Sequence, residues 1–360
     1  MVSENTKPSK KSLEVYLIKK ENLLTLVSKL VDEFEIIAPV RTNGSVRFEK
    51  ITDVNQIKLG YIGHTKLPLK KFFEPPKEVL FTYTIKNDSV EIKDNLEQIA
   101  KERRVILGAH ACDIHSLEIL DKVFLGEYHD PYYAARRNNT IIIGEICNDT
   151  AEYCFCYYTK SGPNVQSGFD LLLTDVNDAY FVEVGSEKGK DLISRFSDLF
   201  EKAEVKYIDL KDEKVQKLIE KMREKGLPEM DKVYQDMVNA FSKEIWEELS
   251  KICLACGKCN YTCPTCYCFD INDEIDPEQT SGSRVRTWSS CHFLVFTRVT
   301  SGEVFRKDRS SRVKQRIYHK LVYSVNEIGE ISCVGCGRCI DVCPAEIDLR
   351  EIVKKIKGGA

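Results

Sequence analysis

The stretch Cys253-Leu254-Ala255-Cys256-Gly257-Lys258-Cys259-Asn260-Tyr261-Thr262-Cys263-Pro264 returns, refilled but with unchanged spacing, as Cys333-Val334-Gly335-Cys336-Gly337-Arg338-Cys339-Ile340-Asp341-Val342-Cys343-Pro344. In each, two residues separate the first three cysteines and three separate the third from the fourth, which proline follows. Two-residue gaps let three thiolates converge from one tight loop onto three corners of an iron–sulfide cube. The fourth lies beyond the loop and points elsewhere, to the other cube in two-cluster proteins. The spacing thus predicts one [4Fe–4S] cluster on Cys253, Cys256, Cys259 and Cys343, and a second on Cys333, Cys336, Cys339 and Cys263. That exchange staples the two stretches into one unit. Gly257, Gly335 and Gly337 suit a loop whose backbone must turn sharply and aim N–H groups at sulfur. Structural zinc also takes Cys-x2-Cys pairs, but these are quartets, each ending in Cys-Pro.

Both stretches carry the full cysteine run of bacterial ferredoxins. The chain has 360 residues and 15 cysteines; none precedes Cys112, four lie between Cys112 and Cys156, and eleven lie between Cys253 and Cys343. A reducing compartment would not keep them as disulfides. Cys112, Cys147, Cys154 and Cys156 are enough for a third cube. Cys112 and Cys147 each follow an expected strand, so adjacent strands would deliver both to one sheet edge. Zinc and buried inert thiols remain alternatives, because free cysteine is often a small core residue and Cys154-x-Cys156 is an awkward span for one cube. Cys266, Cys268 and Cys291 have no obvious fourth partner, so packing around the clusters competes with a substrate-reducing thiol or partial metal site.

Charges nearly cancel, with 53 basic and 56 acidic side chains giving −3, and 42% of residues are hydrophobic. This is ordinary globular composition, and gross electrostatics names no partner. No apolar run approaches the roughly 20 residues that cross a bilayer. Residues 1–12 are polar and Lys-rich and are expected to form a flexible leader without a secretory signal, which predicts a cytoplasmic protein.

Apolar, β-branched runs at 35–40, 79–85, 105–108, 140–144, 169–173 and 180–184 alternate with helical periodicity at 23–34, 95–103, 114–124 and 192–200. This predicts an α/β N-terminal domain over 13–228. It does not decide whether the sheet is parallel, since 61–76 reads as an extended loop. From about 212 to 248 the composition turns to Lys, Glu, Leu and Met, broken at Gly226-Leu227-Pro228. Beyond that break strand signals are few, and 229–360 is expected to be a mainly α-helical dicluster ferredoxin domain.

Between Glu303 and Lys320 lie seven basic and two acidic side chains, including Arg306, Arg309, Arg312, Arg316 and Lys320. A solvated helix face is the ordinary reading of such a run; a docking face for an acidic partner, or charges offsetting anionic clusters, are the others. His110, His115 and His292 sit near cysteines, but nothing gives them a catalytic role. No dinucleotide fingerprint, phosphate loop, serine elbow or zinc-protease pair occurs. A cubane takes one electron at a time and offers no hydride site, so hydride chemistry would need a flavin on another polypeptide.

Several further segments carry a resemblance: Pro68-Leu69-Lys70-Lys71-Phe72-Phe73, His110-Ala111-Cys112-Asp113-Ile114, Tyr132-Tyr133 with Arg136-Arg137, Glu152-Tyr153-Cys154-Phe155-Cys156, Cys263-Pro264-Thr265-Cys266, and Trp288 with Cys291. Together with the quartets the chain resembles the iron–sulfur beta subunit of cytoplasmic hydrogenase/sulfur reductase (sulfhydrogenase) complexes, and the related iron–sulfur subunit of anaerobic sulfite reductase. The resemblance spans nearly the whole chain. It implies an α-helical ferredoxin fold for the second domain, and it favours the third [4Fe–4S] cluster. It further implies a relay of single electrons between a flavoprotein subunit binding FAD and NAD(P)H and a catalytic hydrogenase or sulfite/sulfur reductase subunit. The rival is a self-sufficient thiol- or sulfur-reducing iron–sulfur enzyme that uses Cys266, Cys268 or Cys291.

Overall fold

The computed structural model describes residues 14–87 and 89–358. The expected leader, 1–12, lies outside them. In chain order the strands are β1 (Val15–Lys19), β2 (Glu35–Thr42), β3 (Ser45–Lys50), β4 (Lys77–Lys86), β5 (Ser89–Asp94), β6 (Arg104–Ala109), β7 (Thr140–Glu145), β8 (Leu171–Asp175), β9 (Ala179–Val184), β10 (Glu201–Lys202), β11 (Phe269–Ile275) and β12 (Ser281–Trp288). Eight form one sheet in the order β10-β1-β9-β8-β7-β6-β2-β3.

The centre of that sheet is parallel, from β2 through β6 and β7 to β8, and its flanks are antiparallel. Strict alternation explains why both faces are covered. Val105, Leu107, Ile141, Ile143, Leu171 and Leu173 enter one core with Leu23, Leu26 and Leu30 of helix Lys20–Leu30. Ile106, Ile142 and Leu172 enter the other with Ile114, Leu117 and Leu120 of helix Ala111–Phe124. The loop 61–76 holds one short turn of 3₁₀-helix, Leu69–Phe72.

The second sheet, β11-β12-β4-β5, is antiparallel and built from both ends of the chain. The expectation of few strands after residue 228 missed β11 and β12. Their hairpin reads Asp-Ile-Asn-Asp-Glu-Ile on an almost wholly exposed strand, which lacks the apolar alternation that betrays a half-buried one. β11 is held by pairing with β12, which in turn pairs with β4 and buries Val285, Arg286 and Trp288. The rest of the C-terminal part is helical, with Ile245–Ile252, Arg309–Tyr318 and Leu349–Lys357 enclosing a core around Trp246, Tyr318 and Ile352. The chain is therefore mixed α/β, with sheets in its N-terminal part and helices near its C-terminus. Among the described residues no helix is long and apolar enough to cross a membrane.

Candidate functional site

The two quartets fold alike. In each, a loop carries the first two cysteines, a glycine with positive φ (Gly257 at 76°, Gly337 at 80°) turns the chain, and a one-turn helix follows, Lys258–Tyr261 or Arg338–Asp341. These two short helices pack against each other. The structure gathers Cys253, Cys256, Cys259 and Cys343 around one cavity of about 70 Å³, which Cys339, His292 and Arg316 also line. Cys333, Cys336, Cys339 and Cys263 form a second group, close enough that each of the first three feels the charge of Cys263. Each fourth cysteine thus lies with the other quartet's first three.

The third set comes together at the carboxyl ends of the parallel strands, where open α/β sheets place ligands. β6 and β7 are adjacent and parallel, and Cys112 and Cys147 follow their ends. Cys156 neighbours both of them, and Cys154 neighbours Cys147 and Cys156. Burial pushes the thiols of Cys112, Cys147 and Cys156 well up. Deprotonated sulfur in this interior requires a cation, which a metal held by these thiols would supply.

This set abuts the second quartet. Phe155 N–H donates to Gly335 O at 2.7 Å, and Ser161 Oγ donates to Val334 O at 2.7 Å. A Cβ on Gly335 would stand 2.6 Å from Cys156 N, and one on Gly337 would stand 2.5 Å from Tyr153 O. The glycines of the second ligand loop therefore admit the N-terminal cysteine segment as well as turning their own backbone.

Cations fill the gaps between the thiol groups. Helix Arg309–Tyr318 passes into a π-helical turn, His319–Tyr323, and its inward stripe is Arg312, Arg316 and Lys320, all buried. This corrects the solvated-face reading of the 303–320 run. Spacing of four puts three cations on one buried face, where Arg316 and Lys320 turn toward sulfur and Arg312 donates to the carbonyls of Arg306 and Lys307. Arg316 neighbours Cys266, Cys263, Cys259 and Cys339, hence both quartets. Lys320 donates to Thr265 O at 2.8 Å and is held charged, despite burial, by Cys263 and Cys266. Arg338 lies between Cys336 and Cys112, salt-bridged to Asp113 at 2.9 Å. Arg316 Nε and Arg338 Nη1 are buried N–H donors without a protein partner. All-thiol donor sets, glycine cradles and unpaired cationic donors facing sulfur fit an anionic iron–sulfur group. Sequence reading assigns no role to Asp113, Asn260 or Arg338; a charged residue inside a ligand loop was the available signal for the last.

Of the remaining thiols, Cys266 neighbours Cys263 and, with Lys320, Arg316 and Thr265, holds its pKa down. Cys268 and Cys291 bracket the β11–β12 hairpin, where Ser289 N–H donates to Cys268 O at 2.8 Å. Their thiols are neighbours, and Asn260 Nδ2 donates to Cys291 Sγ at 3.1 Å. With Cys268, Asn260, Arg316 and Lys320 favouring its thiolate, Cys291 falls to about 6. The three histidines do not join the thiols as a set. His110 Nδ1 lies 3.0 Å from Gly63 O with its ring stacked on Tyr61, His115 pairs with Glu118 and Glu330, and His292 lines the first cavity.

Residues 252–347 match the family model of the 4Fe-4S dicluster domain. The fold and thiol groups thus belong to an iron–sulfur protein of the dicluster class, and its [4Fe–4S] clusters serve electron transport. The chain is 33% identical to the sulfhydrogenase 2 subunit beta of Pyrococcus furiosus over 338 residues, covering 92% of this chain and 95% of that one. It is 24% identical to the F420-dependent formate dehydrogenase subunit beta of Methanocaldococcus jannaschii over 188 residues, 49% of this chain and 38% of that one. The chain belongs to the sulfhydrogenase beta subunit family and is an iron–sulfur electron-transfer subunit.

Proposed function

We propose that this chain relays single electrons through three [4Fe–4S] clusters between a flavoprotein subunit binding FAD and NAD(P)H and a catalytic hydrogenase or sulfur/sulfite reductase subunit in the cytoplasm. Cys253, Cys256, Cys259 and Cys343 hold the first cluster. Cys333, Cys336, Cys339 and Cys263 hold the second, and Cys112, Cys147, Cys154 and Cys156 the third. The division at 228/229 into an α/β part and a mainly helical cluster domain belongs to this reading, although the β11-β12-β4-β5 sheet draws on both.

The observation that carries the reading is contiguity. Cys339 lines the cavity of the first thiol group while standing in the second, and the second ligand loop is hydrogen-bonded to the segment bearing Cys154 and Cys156. Each bound cluster supplies one-electron storage at a potential that its surroundings tune. The chain's own residues do the rest: thiolates ligate, Arg316, Lys320 and Arg338 offset negative charge, and tight packing at Gly335 and Gly337 excludes water between neighbouring sites.

Anaerobic purification with associated subunits, iron and sulfide analysis, and spin quantitation after dithionite reduction test this. Twelve irons support three cubanes; eight remove the N-terminal one; isolated zinc ends the proposal. Cys343→Ser should cost the first cluster and spare the second, the reverse of what unexchanged quartets require.

A second reading has one observation in its favour, the Cys268–Cys291 pair beside Asn260. Turnover of polysulfide or a disulfide by the isolated chain with a low-potential donor would replace the relay by a self-sufficient thiol- or sulfur-reducing enzyme.

A further inference from the structure

Among the fifteen cysteines only Cys256 is exposed, and the surface around it is unlike the rest of the site. Leu254, two residues before it, is 64% exposed, and Ile252 at the end of the preceding helix is 52% exposed. On the other side lies the segment after Cys291. Phe293 packs on the backbone of Gly257, where a Cβ would stand 2.8 Å from its ring. From there the chain runs out into Leu294, Val295 and Phe305, all exposed, with Phe305 at 69%. The segment closes on itself through the bridge between Arg298 and Val304 and a hydrogen bond from Phe305 N–H to Thr297 O. A thiol of the first quartet thus opens to solvent amid large apolar side chains that no part of the described chain covers.

The charges of this face lean basic. Lys251, Lys258, Arg298, Lys307 and Arg309 are exposed, and among the described residues none of them forms a salt bridge. Arg309 Nη1 reaches Ser250 O at 3.4 Å, which ties the end of this segment to the helix before Cys253. Glu303 and Asp308 are the acidic side chains of the same segment. Arg298, Arg306, Lys307 and Arg309 stand against Glu303 and Asp308, and Lys251 and Lys258 stand with Glu247, Glu346 and a Glu248 already paired to Lys355, so the face is net basic on a chain whose net charge is −3. The whole molecule repels an acidic protein and this face attracts one. The basic run between Glu303 and Lys320 therefore divides in two: Arg312, Arg316 and Lys320 turn inward, the last two to sulfur, and Lys307 and Arg309 stay outside.

We propose that the face around Cys256 docks a protein electron-transfer partner whose own redox centre lies behind an acidic rim, so that electrons cross at the first quartet and not at the N-terminal thiols. An apolar centre in a net basic rim brings two redox centres close, orients them and lets the partner leave. The assignment rests on the relay reading above and adds where a partner sits and what charge it bears.

The test uses the anaerobically purified holo chain, with iron and sulfide matched between variants and stopped-flow bleaching as readout. One electron donor is a reduced small acidic ferredoxin, the probe for a partner of this chemistry. The other is a reduced zwitterionic sulfonated viologen, which needs no docking face. Wild-type reduction by the ferredoxin should slow steeply with added salt. R298E/K307E should slow it about tenfold or more at low salt and leave the viologen rate unchanged. K93E/K101E, the same change of charge at exposed positions outside this face, should stay within about twofold of wild type, and Phe305→Ser should slow the ferredoxin alone. Equal loss in both charge variants, equal loss with both donors, or a salt-independent ferredoxin rate overturns the assignment. Failure of the relay reading looks different: wild-type chain without cluster iron, or reduced by neither donor, takes the docking proposal down with it.

Discussion

Arg338 and Asp113 meet at 2.9 Å with neither side chain exposed, one from the ligand loop of the second quartet and the other from the helix that carries Cys112. Arg338 also donates from Nε to Thr65 O at 2.9 Å, so one guanidinium joins three separate chain segments. A buried pair of this kind adds little net stability over a well-packed apolar one, because desolvation offsets the attraction. Removing one partner strands the other. Arg338→Met should therefore cost about 3–5 kcal/mol, read as a lowered urea midpoint under anaerobic conditions. The double variant Arg338→Met/Asp113→Leu should recover much of that loss. Equal destabilisation of single and double variants would show that the charge pair is not what matters.

Gly335 is a tight joint between the two parts of the site. Its φ is 59°, and a Cβ would stand 2.6 Å from both Cys156 N and Phe155 C. Backbone cannot step aside as a flexible side chain can. Gly335→Ala should cost more than about 2 kcal/mol, combining left-handed strain with the clash. The loss should show as a weakened signal from the N-terminal thiol site while the first quartet keeps its iron. Gly329→Ala, with φ at 82° but open space around it, should carry only the strain.

Arg316 faces thiols of both quartets. At roughly 8 Å and an effective dielectric near 20, one charge is worth about 2 kcal/mol, or roughly 90 mV for a one-electron couple. Arg316→Gln should shift the midpoint potentials of both C-terminal clusters downward by that order in an EPR-monitored titration, and Arg316→Lys should restore part of the shift. Unmoved potentials at full iron content would assign Arg316 to packing alone.

His115 links the helix that carries Cys112 to Glu330, just before the second quartet. Burial opposes its charge, but hydrogen bonds to Glu118 and Glu330 prevail and raise its pKa to about 9. Glu330 is lowered to about 2, chiefly by His115 and then by Lys122. The histidine's contribution is complete below its ordinary 6.5 and is lost as pH rises through 9. That of Glu330 holds above its ordinary 4.5 and is lost as pH falls through 2. His115→Gln should cost about 1–2 kcal/mol at pH 6, after allowance for screening, and almost nothing above pH 10. A deficit that stays constant with pH would count against the linkage.

Short-range pattern made the cysteine runs and five strands of the large sheet, β2, β6, β7, β8 and β9, legible in the sequence, whereas β1, β3 and β10 on its antiparallel flanks were missed and the run 79–85 became β4 of the second sheet. Spacing of two and three fixes a ligand loop, and apolar runs at 105–108 and 140–144 fix β6 and β7 with their trailing cysteines. Only tertiary structure decided what lies between the groups. The run from 303 to 320 shows seven cations in sequence, and no local rule says that the 312, 316, 320 stripe turns inward while Lys307 stays in water. That choice depends on what the helix packs against, and the sulfur it meets comes from both sides of it in the chain, Cys259, Cys263 and Cys266 before and Cys339 after. β11 and β12 escaped for the same reason, since the exposed polar β11 is held by β12 and β12 by β4, about two hundred residues earlier, and pairing at such distance leaves no periodic mark on the strand itself.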